Sequence, residues 1–268
     1  MKTVARIALN VFKESVRDKV MYYLVMFAVL LIGGSMLLAQ VTGGQDVKII
    51  KDLGLAAISL FGLFMAVFIG IGLVSKEVER RSIYSLLAKP ITRPQFILGK
   101  YAGLVLTLTI HVTIMTAALY VVLAVYNEWT IPEVKKIWEA PALDPALVKA
   151  TFLILLELAL VTAVALLFST FSGPMLSAAF TFGLVIVGHF NADLKNFDAI
   201  VESSAVVWIA RVLYYALPNL ASFDVKSDVV HGLAVTWGFI SLSTAYAVVY
   251  TGTILTLAML IFARRDFK

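Results

Sequence analysis

The feature that most constrains this chain is a succession of long apolar runs, each bounded by charged residues. A helix needs about 20 apolar residues to cross the hydrocarbon core of a bilayer, and six segments approach or exceed that length. They are 20–41, 53–75, 98–125, 147–171, 175–190 and 240–263. Because these runs are continuous and do not alternate, they favour helices over the strands of a β-barrel. We therefore expect an all-α polytopic membrane protein with six transmembrane helices, forming one transmembrane domain over 1–268.

Composition narrows the class further. Of the 268 residues, 61% are hydrophobic and 15% are charged, whereas soluble domains average about 45–50% and about 25%. This excludes a soluble or a disordered protein, and the absence of cysteine excludes a disulfide-stapled secreted module.

The distribution of charge predicts the orientation. Three hydrophilic segments together hold 14 basic and 5 acidic residues, and the other three hold 8 and 11. The first set comprises 1–19, 76–100 and 264–268. The second set comprises 42–52, 126–149 and 191–239. Since cytoplasmic loops retain Lys and Arg, we expect both termini in the cytoplasm.

The long outer segment, 191–239, contains a second apolar stretch at 205–217. It has only 13 residues, includes Arg211 and stops at Pro218. A seventh span here would move the basic C-terminus outside. We therefore expect a re-entrant or interfacial helix, and the sequence leaves open which of the two it is.

The first nineteen residues predict an amphipathic helix. Four basic side chains share one face at 100° per residue, opposite four apolar ones. The basic set is Lys2, Arg6, Lys13 and Arg17, and the apolar set is Val4, Ile7, Ala8 and Val11. Such a helix is typical of a membrane-surface anchor on lipid headgroups, and it could also brace a cytoplasmic partner.

The segment 76–97, between the second and third spans, predicts a cytoplasmic elbow of two helices. Its first part is charged, turns apolar and ends at Pro90. Its second part restarts with Thr92 as N-cap and Gln95 three residues later, a capping box. An elbow of mixed charge with an apolar tip indicates docking to a cytoplasmic partner, although an ordinary solvated loop has the same positive-inside charge.

This segment closely resembles the corresponding part of ABC-2-type ABC transporter permeases, particularly the subgroup linked to maturation of multicopper enzymes and nitrous-oxide reductase. The matching positions in the segment are Glu79, Arg80, Leu86, Leu87, Lys89, Pro90, Thr92, Arg93, Phe96, Leu98, Gly99 and Lys100. Further matches are FSTFSGPMLS at 168–177, YYALPNLASFDV at 214–225 and the terminal ARRDF. Together they extend over nearly the whole chain.

The resemblance implies an exporter permease whose elbow couples it to a separate ATP-binding subunit. The residues expected to contact the ATPase are Glu77, Glu79, Arg80, Arg81, Ile83, Tyr84, Leu86 and Leu87. The chain has no G-x-x-x-x-G-K-[ST] loop, so ATP and Mg²⁺ should be bound by the partner and the chain itself should not be an enzyme. Two ATPases and two permeases are implied, with a homodimer preferred over a heterodimer, and with lipids but no nucleic acid as further partners. The resemblance also implies the cytoplasmic (inner) membrane of a bacterium or archaeon.

Two ionisable residues, His111 and Glu157, lie at matching depth in the third and fourth spans. Intramembrane ionisable groups indicate function by default. They could form a buried hydrogen-bonded pair that joins two helices, or line a polar route for substrate. A metal site is not predicted, because a further carboxylate or histidine is missing, and copper transport is disfavoured because there is no cysteine and the methionines are scattered.

Small residues recur every four positions in two spans, at Gly62, Ala66 and Gly70 and at Gly99 and Gly103. They predict close helix packing, or less readily a dimer interface. An ATP-independent transporter or channel, and a membrane anchor of an assembly complex, remain as alternative functions.

Overall fold

The computed structural model of the chain describes residues 2–40, 45–79, 92–191 and 203–264, and of 73–79 only the backbone. The described residues form a helical bundle. In chain order the helices are α1 (Lys2–Ser15), α2 (Lys19–Ala39), α3 (Asp46–Glu79), α4 (Arg93–Trp129), α5 (Pro132–Lys135), α6 (Ala146–Ser169), α7 (Pro174–His189), α8 (Ser204–Ala216), α9 (Lys226–Val230) and α10 (Trp237–Arg264), with a 3₁₀ turn at Leu220–Phe223.

Five of the described helices are long and apolar enough to cross a membrane, namely α2, α4, α6, α10 and the part of α3 up to Gly72. This confirms the all-α polytopic class. The fifth predicted segment forms α7, whose 16 residues span about 24 Å at 1.5 Å per residue, less than the roughly 30 Å of the hydrocarbon core. The count becomes six if α8 and the segment Leu220–Val230, bent by 41°, are taken as one broken span.

The centre of the bundle is formed by α3 and α6, which are the most buried spans. Glycines on α3 allow the close approach. A Cβ at Gly62 would lie 2.5 Å from Leu158 Cδ1, and a Cβ at Gly70 would lie 2.7 Å from Ala165 Cβ. The glycine strip predicted in the second span is therefore a packing surface within the chain and meets the fourth span.

The N-terminal helix α1 packs on the beginning of α4, at the end of the bundle that we call the proximal end. A Cβ at Gly99 would clash with Ile7, and a Cβ at Gly103 would clash with Val11 and with the carbonyl oxygen of Ala8. The second glycine strip therefore seats the predicted apolar face of α1. Because this face is covered by protein, α1 is held by the bundle as well as by any lipid surface.

The opposite, distal end is closed by the segment between α4 and α6 and by residues 203–231. Asp144 accepts a hydrogen bond at its Oδ1 from the N–H of Ala146, at 2.8 Å, where α6 begins. The hydroxyl of Tyr120 on α4 donates to the carbonyl of Asp144, at 2.7 Å. The second span was predicted to begin at residue 53, but α3 begins at Asp46, because Lys51 is buried inside the bundle and does not mark the boundary with water.

Residues 203–231 fold back into the bundle after α7 ends. Helix α8 lies on the surface with only Ala210 buried, whereas Leu220, Phe223 and Val229 are fully buried. The segment is tied to α10, because Tyr246 accepts from the N–H of Asn219 at 2.8 Å and Tyr250 donates to the carbonyl of Ala216 at 2.6 Å. The predicted outer helix at 205–217 is thus the first arm of a bent segment whose second arm enters the bundle.

The capping box predicted at the start of α4 is supported by its geometry. Thr92 is the N-cap, with φ −77° and ψ 149°, and its N–H donates to Gln95 Oε1 at 3.3 Å. The guanidinium of Arg93 donates to the carbonyls of Phe262 and Ala263, at 3.1 and 2.5 Å. A basic group at the C-terminus of α10 also complements that helix's dipole, so the base of α4 is fixed to the last helix of the chain.

Candidate functional site

The candidate functional site is an ion-pair cluster inside the bundle, centred on Glu157. This residue lies at the middle of α6 and is almost fully buried. Its Oε1 is 3.4 Å from Nε2 of His189, the last residue of α7. Because α7 is too short to cross, its C-terminal residue stops at the depth of Glu157 and does not reach the far interface.

The hydrogen bonds of His189 show how a proton is held in this pair. Its Nδ1 lies 3.0 Å from the carbonyl oxygen of Val185, and since a carbonyl only accepts, Nδ1 carries a proton. Nε2 can then face a carboxyl oxygen favourably in two ways, as an imidazolium beside a carboxylate or as a neutral ring that accepts from a protonated carboxyl. Either way one proton lies between Nε2 of His189 and Oε1 of Glu157.

A second pair of charges lies on the distal side of this site. Lys226, the first residue of α9, has its Nζ 3.4 Å from Asp224 Oδ2 and 3.5 Å from Ser59 Oγ on α3. Lys226 and Asp224 also act electrostatically on Glu157. The cluster therefore joins α3, α6, α7 and the folded-back segment, four parts of the chain that meet inside the bundle.

Within the Glu157–His189 pair, His189 is the exposed member. About a third of its side-chain surface is accessible (32%), against 5% for Glu157. A polar ring directed at lipid would be costly. The open side of the cluster is therefore suited to a water-filled path or to a second protein surface.

The sequence left open whether His111 and Glu157 pair or line a polar route. In the structure the two side chains have different neighbours, the carbonyl of Thr107 for His111 and the ring of His189 for Glu157. The ring of His111 is buried in α4, with Nδ1 2.7 Å from the carbonyl of Thr107 one turn earlier. His111 and Glu157 lie at a similar depth along their helices. However, the rotation of α4 and α6 about their own axes directs the two side chains to different neighbours. The partner that sequence reasoning missed, His189, could have been found from the length of the fifth run. A run of 16 residues ends inside the membrane when it starts at the interface.

The predicted ATPase-coupling residues lie largely beyond what the structure describes. Glu77 and Glu79 belong to the last turns of α3, without described side chains. Arg80, Arg81, Ile83, Tyr84, Leu86 and Leu87 lie outside the described residues. Over the ranges that are described, no group of three or more His, Asp or Glu side chains could hold a metal ion.

The long apolar helices define the class: this is a polytopic all-α membrane protein. The family pattern described as "ABC-2 family transporter protein" matches residues 5–267. The chain belongs to this family and is a permease component of an ABC transporter. A comparison with curated proteins found no significant match, and the resemblance to the subgroup for multicopper-enzyme maturation stays a prediction.

Proposed function

We propose that the chain is the membrane subunit of an ABC exporter, in which a separate ATP-binding subunit drives alternation between two permease copies. The family match over nearly the whole chain carries this proposal. ABC-2 permeases generally work with an ATP-binding subunit, and here that subunit binds ATP and Mg²⁺ while the permease forms the path.

The geometry supports a mechanical role for α3 and α4. With 34 and 37 residues, these helices are about 51 and 56 Å long, well beyond the roughly 30 Å of the hydrocarbon core. Both run without a break from the distal end into the predicted elbow, 76–97, where α3 ends at Glu79 and α4 begins at Arg93. A force applied to the elbow is therefore carried by two continuous helices into the membrane.

The close contacts of α3 transmit a movement of this helix to the charged cluster. Backbone-to-side-chain contact at Gly62 and Gly70 leaves no room for α3 to slide on α6 without repacking. Ser59, on the same helix, contacts Lys226, and Leu158, which packs on Gly62, directly follows Glu157. We infer that movement of α3 changes the contacts of Glu157 and His189, and that this opens or closes a polar path at mid-depth.

The partial exposure of His189 supports a homodimer in which α7 faces the second copy. Ile186 and Phe190 lie beside it and are more than half exposed. Two α7 faces brought together would place two Glu157–His189 pairs on either side of a shared path. This arrangement shields both histidines from lipid.

Coupling is tested by co-purification of the tagged permease with its ATP-binding subunit from a membrane in which both are expressed. We expect the triple variant Glu79→Ala/Arg80→Ala/Leu86→Ala to lose most of the bound ATPase. The matched control, Glu133→Ala/Lys136→Ala/Ile137→Ala, replaces the same three residue classes at exposed distal positions and should keep it. Wild-type recovery of ATPase by the elbow variant would contradict the coupling proposal.

The alternative functions are separated by the same preparation. An ATP-independent carrier or channel would conduct in proteoliposomes that lack the ATPase. A membrane anchor would show no transport-linked stimulation of ATP hydrolysis. We expect neither behaviour, because Glu157, at the centre of the cluster, is buried and opening a path to it requires α3 to move.

The dimer is tested by disulfide cross-linking in the naturally cysteine-free chain. Ile186→Cys on α7 should give a covalent homodimer under mild oxidation. Leu30→Cys on α2, which is exposed to a similar degree, should not. Cross-linking at position 30 but not at 186 would overturn the proposed interface.

A further inference from the structure

The distal end contains a second polar site, separate from the Glu157 cluster. A cavity of about 140 Å³ lies between the first turns of α3 and the segment that follows α5. Its lining includes Lys48 and Lys51 from α3 and Trp138 and Glu139 from the segment, with Ile137 and Val230 on its apolar side. This volume holds several waters or one small polyatomic ion.

Lys51 is the residue of this cavity that most strongly indicates a bound ligand. Its side chain has no accessible surface, and in the described part of the chain its Nζ finds no hydrogen-bond acceptor. The nearest carboxylate oxygen, Asp144 Oδ2, is 3.8 Å away, which is too long for a hydrogen bond. An ammonium group removed from water is costly unless its protons are bound.

Trp138 adds an independent donor to the same cavity. Its Nε1 is buried and also lacks a hydrogen-bond partner among the described residues, although buried indole N–H groups are usually satisfied. Both groups can only donate. The missing partner must therefore be an acceptor.

The acidic residues nearby are already engaged. Glu139 binds Lys48 through Oε1 at 2.5 Å and His231 through Oε2 at 3.3 Å. Asp144 uses Oδ1 for the N–H of Ala146. The carboxylates thus hold the walls of the cavity together. Asp144 Oδ2 forms an ion pair of 3.8 Å with the buried ammonium of Lys51, but no carboxylate among the described residues accepts a hydrogen bond from it.

We propose that this cavity binds a phosphate group. A phosphate monoester has three strong acceptor oxygens, which matches the donors of Lys48, Lys51 and Trp138, and its charge compensates the buried ammonium. The group comes either from the headgroup of a lipid in the leaflet at the distal end or from a soluble phosphorylated compound. This site requires neither the ATPase nor transport.

The experiment measures binding to the purified, delipidated chain in detergent and in nanodiscs. Inorganic phosphate, titrated while thermal unfolding is followed, tests the soluble source. Nanodiscs of phosphatidylcholine with a small fraction of phosphatidic acid, followed by native mass spectrometry of retained lipid, test the headgroup. Saturable binding in either arm supports the proposal and identifies the source.

Three variants make the assignment specific. Lys51→Met, of similar length but uncharged, should weaken binding by about tenfold or more, as expected for a lost charge-assisted hydrogen bond. Trp138→Phe keeps an aromatic ring but removes the indole N–H, and it should weaken phosphate binding by a smaller factor. If Lys51→Met does not fold, the effect of Trp138→Phe tests the assignment of the site. Lys136→Met makes the same charge change at an exposed distal position and should bind as the wild type does.

Two results would overturn the proposal. One is the absence of saturable binding to the wild type in both arms. The other is undiminished binding by Lys51→Met together with Trp138→Phe, which would place the ligand elsewhere.

Discussion

At the scale of single residues, both proposed sites depend on where a few charges are buried. Glu157 and Lys51 are both almost inaccessible, and each lies where helices of the bundle meet. Glu157 has a partner in His189 at 3.4 Å, whereas Lys51 is 3.8 Å from its nearest carboxylate. The first arrangement favours a shared proton, and the second favours an added anion.

A double-mutant cycle tests the Glu157–His189 contact. We expect His189→Ala and Glu157→Gln to interact by roughly 0.5–3 kcal/mol in the free energy of unfolding, because either change removes the charge or the acceptor that the other residue uses. The measurement is chemical unfolding in mixed micelles. The control cycle, His111→Ala with Glu157→Gln, should be additive within about 0.5 kcal/mol. Additivity in the first cycle would show that the two side chains do not interact.

A pH-dependent contribution is expected from Glu139 at the distal end. The hydrogen bond from Lys48 and then that from His231 hold the pKa of Glu139 below its ordinary value. A lowered carboxyl pKa stabilises the folded state above the ordinary pKa, and this stabilisation is lost as the pH falls through the lowered value. The difference in melting temperature between wild type and Glu139→Gln should thus be present at neutral pH and vanish in acid, once the pH has fallen below the lowered pKa.

Because Glu139 is exposed, we expect this difference to be small and sensitive to salt. Glu133→Gln, at a nearby exposed position of the same segment, provides the comparison. A difference between wild type and Glu139→Gln that grows as the pH falls would contradict the assigned direction.

At the scale of helices, two glycine strips determine which surfaces meet. The strip on α3 receives α6, and the strip on α4 receives α1. Their spacing in the sequence predicted close packing, but it did not identify the partners. The identity of a partner depends on the rotation of each helix about its own axis, which side chains on several helices determine together.

A pair of glycine substitutions in α3 tests this packing. Gly70→Ala places a Cβ 2.7 Å from Ala165 Cβ, and such overpacking should cost about 1–3 kcal/mol of stability. Gly72→Ala, two residues later, meets no atom within 4 Å and should be neutral or stabilising by up to about 1 kcal/mol. The measurement is the same unfolding assay. Equal effects of the two substitutions would mean that α3 is not seated on α6 as described.

At the scale of the whole molecule, the remaining question is how the bundle is oriented in the membrane. The proximal end holds α1 and the base of α4, which lie in the segments richest in basic residues. The distal end holds the phosphate cavity and the folded-back residues 203–231. The positive-inside rule predicts that the proximal end faces the cytoplasm, where an ATP-binding subunit would reach the elbow.

The orientation is tested by labelling single cysteines in this cysteine-free chain. Lys136→Cys, exposed at the distal end, should react with a membrane-impermeant maleimide on intact cells. Lys13→Cys, exposed on α1, should react only after the cells are permeabilised. The reverse pattern would invert the topology and place the elbow away from any cytoplasmic ATPase.

The sequence alone determined the class of protein, the approximate positions of the long spans, the amphipathic face of α1 and the cap of α4. Each of these depends on local properties, such as the length of an apolar run, a period of 3.6 residues or the chemistry of one helix end. The orientation predicted from the charge distribution likewise does not depend on which helices are in contact.

Only the tertiary structure decided the partner of Glu157, the path of residues 203–231 and the burial of Lys51. His189 reaches Glu157 because α7 ends at mid-depth, and Lys51 is buried because the segment after α5 covers it. These contacts join residues that are distant in sequence, and they depend on the relative depth and rotation of packed helices. The local sequence pattern determines neither the relative depth nor the rotation of a helix. The polar sites of the membrane domain could therefore be identified only from the packed arrangement of the helices.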